Sequence, residues 1–417
     1  MDILIRDISC LAGIEEEPLK FRAGKEMSVL NVLNDAFLLI SGGLIRDFGP
    51  MKSVPAVDSR QVRIIEAGGR CVLPAYCDPH THIVYAGSRE REFVDRIRGL
   101  SYEEIAARGG GILNSAKQLH ITPEDDLFTM AMERINEIIS QGTGAVEIKS
   151  GYGLNTEDEL KMLRVIKRIK ENSLIDVKAT FLGAHSVPEP FRHHRDKYID
   201  LIISEMIPAI AAEKLAGYID VFCDRGFFSV EETEKILQAG LKYGLKAKLH
   251  ANEYGLTGGV QTGVKFGALS VDHLEHMGED EIKVLHGTGT MPTLLPGSAF
   301  FLGLPDPPAR KMIDLGLPVA LASDYNPGSC PSGNMKLVLS LACVRLKMTP
   351  AEAINAATIN AAYAMGLSET HGTITRGKTA NIQITKPVPS YEFLPYAFGS
   401  QLTEKVILKG VEVVSHL

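Results

Sequence analysis

The sequence predicts an α/β fold: a (β/α)8 TIM-like barrel with a small β-sandwich domain formed by both chain termini. Two patterns predict this fold. Strand-like and helix-like segments alternate over eight units in the middle of the chain, whereas both ends are rich in short strands. Residues that can bind a metal also follow most of the central strands, as expected at the mouth of a barrel. The predicted domains are residues 1–72 and 373–417 for the sandwich and 73–372 for the barrel.

The terminal strands are predicted from short β-rich runs bounded by turn residues. Gly42 and Gly43 separate two of these runs and indicate a hairpin. The runs are Ile3–Ile5, Ser28–Leu33, Ala36–Ile40, Leu44–Phe48, Asn381–Thr385, Lys405–Leu408 and Val411–Val414.

The barrel is predicted from apolar strand patterns with helix patterns between them. Thr156 and Ser229 are the predicted N-caps of two helices. A doubly wound sheet is the competing layout, but the count of eight strands and the lack of a G-x-G-x-x-G turn disfavour it. The predicted strands are the run Cys71–Tyr76 that leads to His80, then Gly144–Lys149, Val177–Leu182, Ile219–Phe222, Lys246–Leu249, Leu269–Asp272, Thr290–Leu295 and Val319–Ala322. The predicted helices are Pro123–Ser140, Thr156–Asn172, Asp196–Ala216, Val230–Tyr243 and Thr349–Met365.

Composition favours a cytoplasmic globular enzyme. The 417 residues are 45% hydrophobic and 23% charged, which suits a chain with a sizeable core. The net charge of −7 argues against a nucleic-acid binder, which normally carries a basic stripe. The sequence holds no apolar run long enough to span a membrane, and Met1–Asp7 lacks the pattern of a signal peptide. Six scattered cysteines indicate reduced thiols.

The pair His80-x-His82 is the first sign of a metal site. Residues two apart on an extended strand point the same way, so both imidazoles can bind one ion. Two surface histidines placed by chance are an equally good interpretation of this pair alone. The choice depends on whether further ligands follow other strands.

Polar residues do follow several other strands, and these ends meet at one face of a barrel. Three histidines and one aspartate suit zinc or iron(II) and leave a position for water, whose pKa the metal lowers to about 7. Glu253, three residues after His250, could take a proton from that water and return it to a leaving nitrogen. The residues at the strand ends are His80, His82, Tyr152, His185, His250, His273 and Asp324.

Several of the candidate residues also have a structural interpretation. His185 alone would be interpreted as a loop histidine, and His276 as a structural neighbour of His273. Lys149 could be a carbamylated bridge between two metals, but such lysines usually belong to the fourth strand and Lys149 lies on the second. A single metal is therefore favoured. Cys223 is interpreted as a buried, inert thiol.

Two loops near the first strand carry weaker signals. Gly109–Gly111 lacks the ending of a phosphate-binding P-loop and is interpreted as a flexible loop over the barrel mouth. The charged run Ser88–Glu92 is either a solvated surface or the source of one arginine that points inward and binds a substrate carboxylate.

These motifs resemble the amidohydrolase superfamily and, more narrowly, the imidazolonepropionase family of histidine degradation. The resemblance covers essentially the whole chain. The motifs Asp78–His82 and Ser323–Ser329 alone indicate only the superfamily. The arginine loop Gly87–Glu92, the Ser-Gly-Tyr-Gly segment and the Asn-Pro-Gly-Ser segment together are more specific. The motifs are Asp78–His82, Gly87–Glu92, Gly109–Ile112, Glu147–Leu154, Phe181–His185, His250–Glu253, Val271–His276 and Ser323–Ser329.

The resemblance implies hydrolysis of a small molecule, 4-imidazolone-5-propanoate, to N-formimidoyl-L-glutamate. It also implies residue roles. The metal ligands would be His80, His82, His250 and Asp324. Arg89 would hold the propionate carboxylate, Tyr152, His185 and Glu253 would contact the substrate, and Asn326, Gly328 and Ser329 would line the far side.

The mechanism hypothesis has metal-bound water attack the ring carbonyl with help from Glu253. His273 and the metal would stabilise the oxyanion, and Asp324 would also shuttle a proton. One competing hypothesis is a deaminase of a heterocycle, which shares the metal motifs; Arg89 and the Asn-Pro-Gly-Ser loop favour an acidic substrate instead. The other is a non-catalytic binding module, which the full ligand set disfavours.

The sequence leaves some properties open. Nitrogen and oxygen ligands suit zinc and iron equally, so the expected cofactor is one Zn2+ or Fe2+/Fe3+ ion per subunit. The oligomeric state is also open, although a homodimer is the commonest oligomer.

Overall fold

A computed structural model describes residues 2–100, 104–105, 108 and 110–415 of the chain. Its strands form two separate sheets of eight strands each. One sheet is mixed and comes from both ends of the chain. The other contains eight parallel strands in chain order and forms a nearly closed barrel. The predicted fold class is therefore confirmed.

The terminal sheet joins strands that lie far apart in the sequence. The long strand β1 pairs with β2 antiparallel and with β4 and β5 parallel, and β5 pairs with β14 near the C-terminus. One cluster of buried apolar residues lies on this sheet and includes Ile5, Leu38 and Ile382, which are fully buried. The strands of this sheet are β1 Asp2–Ala12, β2 Val32–Ser41, β3 Leu44–Pro50, β4 Val62–Glu66, β5 Cys71–Pro74, β14 Ile382–Thr385, β15 Thr403–Leu408 and β16 Val411–Ser415.

The barrel strands follow one another around the sheet, and each pairs with its neighbour in parallel. The last contact joins the end of the first strand to the segment after the eighth: His82 N–H donates to the Tyr325 carbonyl at 2.9 Å, and Asp324 N–H donates to the His80 carbonyl at 3.0 Å. The strands are β6 Tyr76–Thr81, β7 Thr143–Lys149, β8 Asp176–Ala184, β9 Tyr218–Cys223, β10 Lys246–Ala251, β11 Ser270–His273, β12 Met291–Leu294 and β13 Ala320–Leu321.

The helices lie mainly between the barrel strands. The described α-helices are Glu90–Ile97, Ile112–Ile121, Glu124–Ser140, Thr156–Asn172, Arg195–Leu201, Ile207–Glu213, Val230–Lys242, Gly259–Lys265, Glu279–Leu285, Pro296–Leu302, Ala309–Asp314, Met335–Val344, Pro350–Ala357, Ile359–Ala364 and Phe393–Tyr396. Short 3-10 segments are Gly24–Ser28, Met51–Ser53 and Glu189–Phe191. Among the described residues, no helix combines the length and the apolar character needed to cross a membrane.

Local capping explains where several helices begin. Ser229 caps its helix as predicted, because its hydroxyl accepts from Glu232 N–H while the Glu232 carboxylate accepts from Ser229 N–H. The predicted cap Thr156 is wrong. The N-cap is Asn155, whose side chain accepts from Asp158 N–H at 2.9 Å, and Thr156 is the first helical residue.

Several other element boundaries also differ from the prediction. The run Cys71–Tyr76 is divided: Cys71–Pro74 pairs within the terminal sheet, and the first barrel strand begins at Tyr76. The two strands predicted over Ser28–Leu33 and Ala36–Ile40 are one strand, Val32–Ser41, which begins after the 3-10 turn. The domain limits at 72/73 and 372/373 stay a prediction.

Two further differences are breaks within predicted helices. Asp196–Ala216 contains a π-helical segment, Ile202–Met206, just before Pro208. Proline has no N–H to donate and its ring crowds the preceding turn, which favours the wider winding. The helix predicted over Thr349–Met365 is interrupted at Thr358, where the backbone leaves the helical region.

Asp176 connects the bottom of the barrel to the terminal sheet. It is the first residue of β8, and its carboxylate accepts from His371 Nε2 at 3.0 Å and from Asn381 Nδ2 at 3.3 Å. Lys409 Nζ lies 3.1 Å away. Burial favours a higher pKa for Asp176, but His371 and Lys409 outweigh it and hold the pKa below its ordinary value.

We expect Asp176→Asn to lower the free energy of unfolding by about 1–2 kcal/mol at neutral pH, because the contacts favour the ionised carboxylate. Since the pKa of Asp176 is lowered by folding, this loss is complete above the ordinary value of 3.8 and shrinks as the pH falls through the folded-state value. Urea unfolding at several pH values measures it. The exposed Asp200→Asn is the control, and equal stabilities of wild type and Asp176→Asn at pH 7 would contradict the assignment.

Candidate metal centre

Three histidines meet at the C-terminal end of the barrel. His80 lies on β6, His82 directly follows it, and His250 lies on β10. One nitrogen from each ring lies within 4.8 Å of the other two. Among the described residues, these three histidines are the group of side chains that could hold a metal ion. His80 Nε2 and His82 Nε2 are 3.3 Å apart. The structure therefore confirms that a strand from the far side of the barrel brings a third imidazole to the pair.

The second nitrogen of each ring, Nδ1, faces an acceptor from the protein. His80 Nδ1 donates to Asp272 Oδ2 at 2.7 Å, and His250 Nδ1 donates to Asp220 Oδ1 at 3.1 Å. His82 Nδ1 lies 3.4 Å from the Ser150 carbonyl. A proton on Nδ1 leaves the Nε2 lone pair free to bind a metal.

Burial keeps these imidazoles neutral. It lowers the pKa of His80 and of His82 well below the ordinary value, and it also lowers that of His250. The neutral form is the one that ligates metals. His250 Nε2 is buried and has no hydrogen-bond partner within the described part of the chain. A buried nitrogen without a partner is costly unless an ion satisfies it, so these residues fit a divalent metal.

Asp324 adds a carboxylate to the three nitrogens. Its Oδ1 lies 3.7 Å from His80 Nε2 and 3.8 Å from His82 Nε2. The contacts that close the barrel position Asp324, whose backbone has a left-handed φ of 57°. Its Oδ2 accepts from Ser329 Oγ at 3.0 Å. The Asp324 carboxylate thus lies beside two of the three histidines, and its role as a fourth ligand stays a prediction.

Glu253 and His273 lie beside this point. Burial raises the pKa of the Glu253 carboxyl to about 8. Burial alone would lower the pKa of His273, but Glu253 and Glu275 raise it well above its ordinary value. His273 Nδ1 is 3.6 Å from a carboxylate oxygen of each glutamate. The site therefore contains a group that can hold a proton next to a cationic imidazole.

His276 holds the backbone of Glu253. Its Nδ1 donates to the Glu253 carbonyl at 3.0 Å, and Asn252 Nδ2 donates to the His276 carbonyl at 3.0 Å. Cys223 is fully buried outside the ligand cluster, and burial raises the pKa of its thiol to about 11. These contacts agree with the structural roles expected for both residues.

A cavity opens above the three histidines. All the predicted substrate residues line it, together with His82, His250, His273 and Asp324. Tyr152 and His185 form one wall, where the His185 ring stacks on His82 with 5.1 Å between centroids. Burial lowers the pKa of His185 to about 3. The predicted residues are Arg89, Tyr152, His185, Glu253, Asn326, Gly328 and Ser329.

Arg89 points into this cavity, whereas Glu90 and Arg91 beside it are exposed. Its Nε and Nη2 both lie 2.8 Å from Glu92 Oε2. Glu92 also accepts from Gly111 N–H and from Asn114 Nδ2, each at 3.0 Å. Gly109, the first residue of the loop predicted over Gly109–Gly111, lies outside the described residues. The guanidinium is therefore held in one direction and presents its remaining nitrogen to the cavity.

The loop after β13 is shaped to receive Arg89. The Asn326 side chain accepts from Gly328 N–H at 2.7 Å and from Ser329 N–H at 2.8 Å, which forms a tight turn. A Cβ atom on Gly328 would lie 2.0 Å from Arg89 Nη1. A side chain at position 328 would therefore have to displace the guanidinium.

Sequence reasoning missed several cavity residues. Phe222 and Phe227 stack with 3.8 Å between centroids, and Tyr254 lies parallel to Phe227. Arg96 lines the cavity near Arg89. Phe222 ends the predicted fourth strand and Tyr254 follows Glu253, so the strand-end rule would have found both had it included aromatic residues. Asp220 and Asp272 were missed because they lie inside strands.

The comparisons with known proteins agree with this geometry. A model of the amidohydrolase family matches residues 71–413. The chain is 58% identical to an imidazolonepropionase from Flavobacterium johnsoniae over 410 residues, covering 98% of this chain and 99% of that protein. It is 43% identical to an imidazolonepropionase from Parabacteroides distasonis, with 98% of each chain covered.

Solved structures share the fold at low identity. A zinc complex of atrazine chlorohydrolase from Arthrobacter aurescens gives a TM-score of 0.73 at 17% identity, covering 99% of this chain and 95% of that one. An adenosine deaminase from Xanthomonas campestris with bound zinc gives 0.69 at 16% identity, covering 99% and 93%.

We expect His250→Ala to weaken zinc binding more than about 100-fold, because loss of a contact that merely supports a ligand already costs about 10–100-fold. Competition with a chelator measures the affinity. The exposed His193→Ala is the control and should bind zinc like wild type. Unchanged affinity in His250→Ala would remove this histidine from the ligand set.

Proposed function

This chain belongs to the amidohydrolase family and, within it, to the imidazolonepropionases, and from this membership we propose that it hydrolyses 4-imidazolone-5-propanoate to N-formimidoyl-L-glutamate in L-histidine degradation. Two observations together support the proposal. The chain is identical in sequence to an imidazolonepropionase at 58% of positions over nearly its whole length, and its cavity has metal-binding groups at one side and Arg89 at another. The cavity thus offers a place for a cyclic amide and for an acid arm.

The reaction opens the ring at its amide. Oxygen from water bonds to the ring carbonyl carbon, and the bond between that carbon and the ring nitrogen breaks. The nitrogen gains a proton, and the former carbonyl becomes the α-carboxylate of the glutamate product. The enzyme must therefore remove a proton from water, stabilise negative charge on the carbonyl oxygen and supply a proton to nitrogen.

We propose that His80, His82, His250 and Asp324 hold one zinc or iron ion per subunit. Nitrogen and carboxylate donors suit both metals. When bound, such an ion lowers the pKa of a coordinated water to about 7 and polarises a carbonyl. The carboxylates behind His80 and His250 keep both rings turned toward the ion.

Glu253 is the proposed general base and acid. It lies in the cavity next to the ligand cluster, and its carbonyl is held by His276. A pKa of about 8 lies close to the working pH, so the carboxylate can accept a proton from the attacking water and return it to the leaving nitrogen.

His273 and Asp324 complete the proposed chemistry. The two glutamates beside His273 favour its cationic form, which stabilises negative charge on the substrate oxygen. Asp324 lies close to two of the ligand imidazoles, and its second oxygen is held by Ser329. Asp324 is proposed to shuttle a proton as well, in addition to Glu253.

The remaining residues orient the substrate. Arg89 is proposed to bind the propionate carboxylate, because its guanidinium faces the cavity and is already fixed by Glu92. Tyr152 and His185 contact the ring from one wall. Asn326, Gly328 and Ser329 form the opposite wall and hold the product.

Product identification tests this function. Purified protein loaded with zinc or iron is given 4-imidazolone-5-propanoate, and the product is identified by mass spectrometry and NMR. Formation of N-formimidoyl-L-glutamate without release of ammonia is the expected result. Release of ammonia would favour the deaminase hypothesis, and no turnover with a fully loaded metal site would contradict both.

We expect Glu253→Gln to lower kcat by about 100- to 10,000-fold, because the amide cannot accept and return a proton. Zinc content should stay at the wild-type level, since Glu253 is not among the proposed ligands. Steady-state kinetics and metal analysis of the same preparation measure both effects. Near-normal turnover would remove Glu253 from the role.

We expect Arg89→Ala to raise KM about 10- to 100-fold, because a hydrogen bond to a charged group is worth about 1.5–3 kcal/mol. Arg91→Ala is the matched control, since Arg91 belongs to the same charged run but is exposed. Gly328→Ala should also raise KM by displacing the guanidinium. Equal KM values for Arg89→Ala and Arg91→Ala would rule out the assignment.

A further inference from the structure

A buried network of ionic groups lies inside the barrel, directly behind His80 and His250. It contains two lysines and three carboxylates, and all five side chains are 0–1% exposed. Charges removed from water are costly, so a network of this size requires close mutual contacts. The proposed reaction steps use none of these five groups. They are Glu147 and Lys149 on β7, Asp220 on β9, Lys248 on β10 and Asp272 on β11.

Lys149 lies at the centre of this network. Its Nζ is 2.7 Å from Asp220 Oδ2, 2.8 Å from Glu147 Oε1 and 3.3 Å from Asp272 Oδ2. Burial alone would lower the pKa of Lys149, but the three carboxylates outweigh it and raise the pKa. The ammonium form has no lone pair to react with carbon dioxide, which agrees with the earlier argument against a carbamylated lysine.

Two of these carboxylates continue from Lys149 to the metal ligands. Asp220 uses its other oxygen, Oδ1, to accept from both His250 Nδ1 at 3.1 Å and His250 N–H at 3.0 Å. Asp272 Oδ2 accepts from His80 Nδ1, while its Oδ1 accepts from Ser270 Oγ at 2.6 Å. A single ammonium is therefore connected, through one carboxylate each, to ligands from two separate strands.

We propose that Lys149 is a positioning residue for the metal site: its ammonium fixes Asp220 and Asp272 so that His250 and His80 direct their Nε2 atoms at the same ion. This inference rests on the proposed metal site. Without the ammonium, two carboxylates would lie close together in the barrel core and repel each other, and each would change its distance to its histidine. The two imidazoles would then no longer share one orientation.

Lys248 provides a comparison within the same network. It is equally buried, but it pairs with Glu147, and it also contacts the Pro79 carbonyl at 3.5 Å and the Tyr218 ring at 5.6 Å from the centroid. Removal of Lys248 therefore deletes a buried ammonium without deleting a contact to Asp220 or Asp272. The two lysines separate the effect on metal geometry from the general effect of losing a buried charge.

The test compares Lys149→Met with Lys248→Met, using zinc alone as the probe. We expect Lys149→Met to bind zinc about 10- to 100-fold more weakly than wild type, because contacts behind a ligand have effects of this size. Lys248→Met should bind zinc with an affinity within about threefold of wild type, because Lys248 holds neither of the carboxylates behind the ligands. Equal affinities in Lys149→Met and wild type, or equal losses in both variants, would overturn the proposal.

A spectrum separates positioning from a merely structural role. With cobalt in place of zinc, the visible absorption bands report the ligand geometry. Lys149→Met should shift these bands relative to wild type, while Lys248→Met keeps them, even where both variants unfold at the same temperature without metal. Identical cobalt spectra for all three proteins would contradict the proposal.

A charge-balanced pair covers the case in which Lys149→Met does not fold. Lys149→Met/Glu147→Gln and Lys248→Met/Glu147→Gln each remove one ammonium and one carboxylate, so the net charge of the network is unchanged. We expect only the first to lose zinc affinity. If the first does not fold even at saturating zinc while the second does, Lys149 is a folding residue and the proposal is wrong.

Wild-type protein distinguishes failure of this inference from failure of the proposed function. If wild type binds no zinc, the proposed metal site and the inference fall together. If wild type binds zinc and forms N-formimidoyl-L-glutamate but the lysine variants behave alike, only the inference fails.

Discussion

The convergence of three buried imidazole nitrogens on one point is the constraint on which the rest of this structure depends. A neutral imidazole with its proton on Nδ1 can offer Nε2 to a metal, and an acceptor for that proton fixes the tautomer and the orientation of the ring. In this barrel the acceptors are Asp272 behind His80 and Asp220 behind His250. Those carboxylates are themselves buried and need a cation, which Lys149 supplies. The residues that orient the site therefore include groups buried in the barrel core, beneath the cavity.

Closure of the barrel positions Asp324, the proposed fourth ligand. Backbone hydrogen bonds join the end of the first strand to the segment after the eighth, and Asp324 lies within that contact. Its carboxylate is then held by Ser329, which belongs to the turn that Asn326 organises. The same turn brings Gly328 against Arg89. One loop thus couples the metal ligand to the group proposed to bind the substrate acid, so the distance between reaction centre and acid arm is set by the fold.

Much of this site could be predicted from strand ends, because parallel strands in a barrel all end at one face. His80, His82, His250 and Asp324 meet as that rule requires. The supporting residues Asp220, Asp272 and Lys149 could not be paired from sequence, since a residue inside a strand gives no sign of which distant strand it faces. The break before Pro208 and the cap at Asn155 depend on local hydrogen bonding, which a periodic apolar pattern does not record.

X-ray absorption spectroscopy of the zinc-loaded protein tests the central claim most directly, because it reports the atoms bound to the ion. The account predicts one zinc per chain with nitrogen and oxygen ligands at about 2.0–2.2 Å and the scattering pattern of three imidazoles. A sulfur ligand at about 2.3 Å, a second metal at about 3.5–4 Å, or fewer than three imidazoles would contradict it.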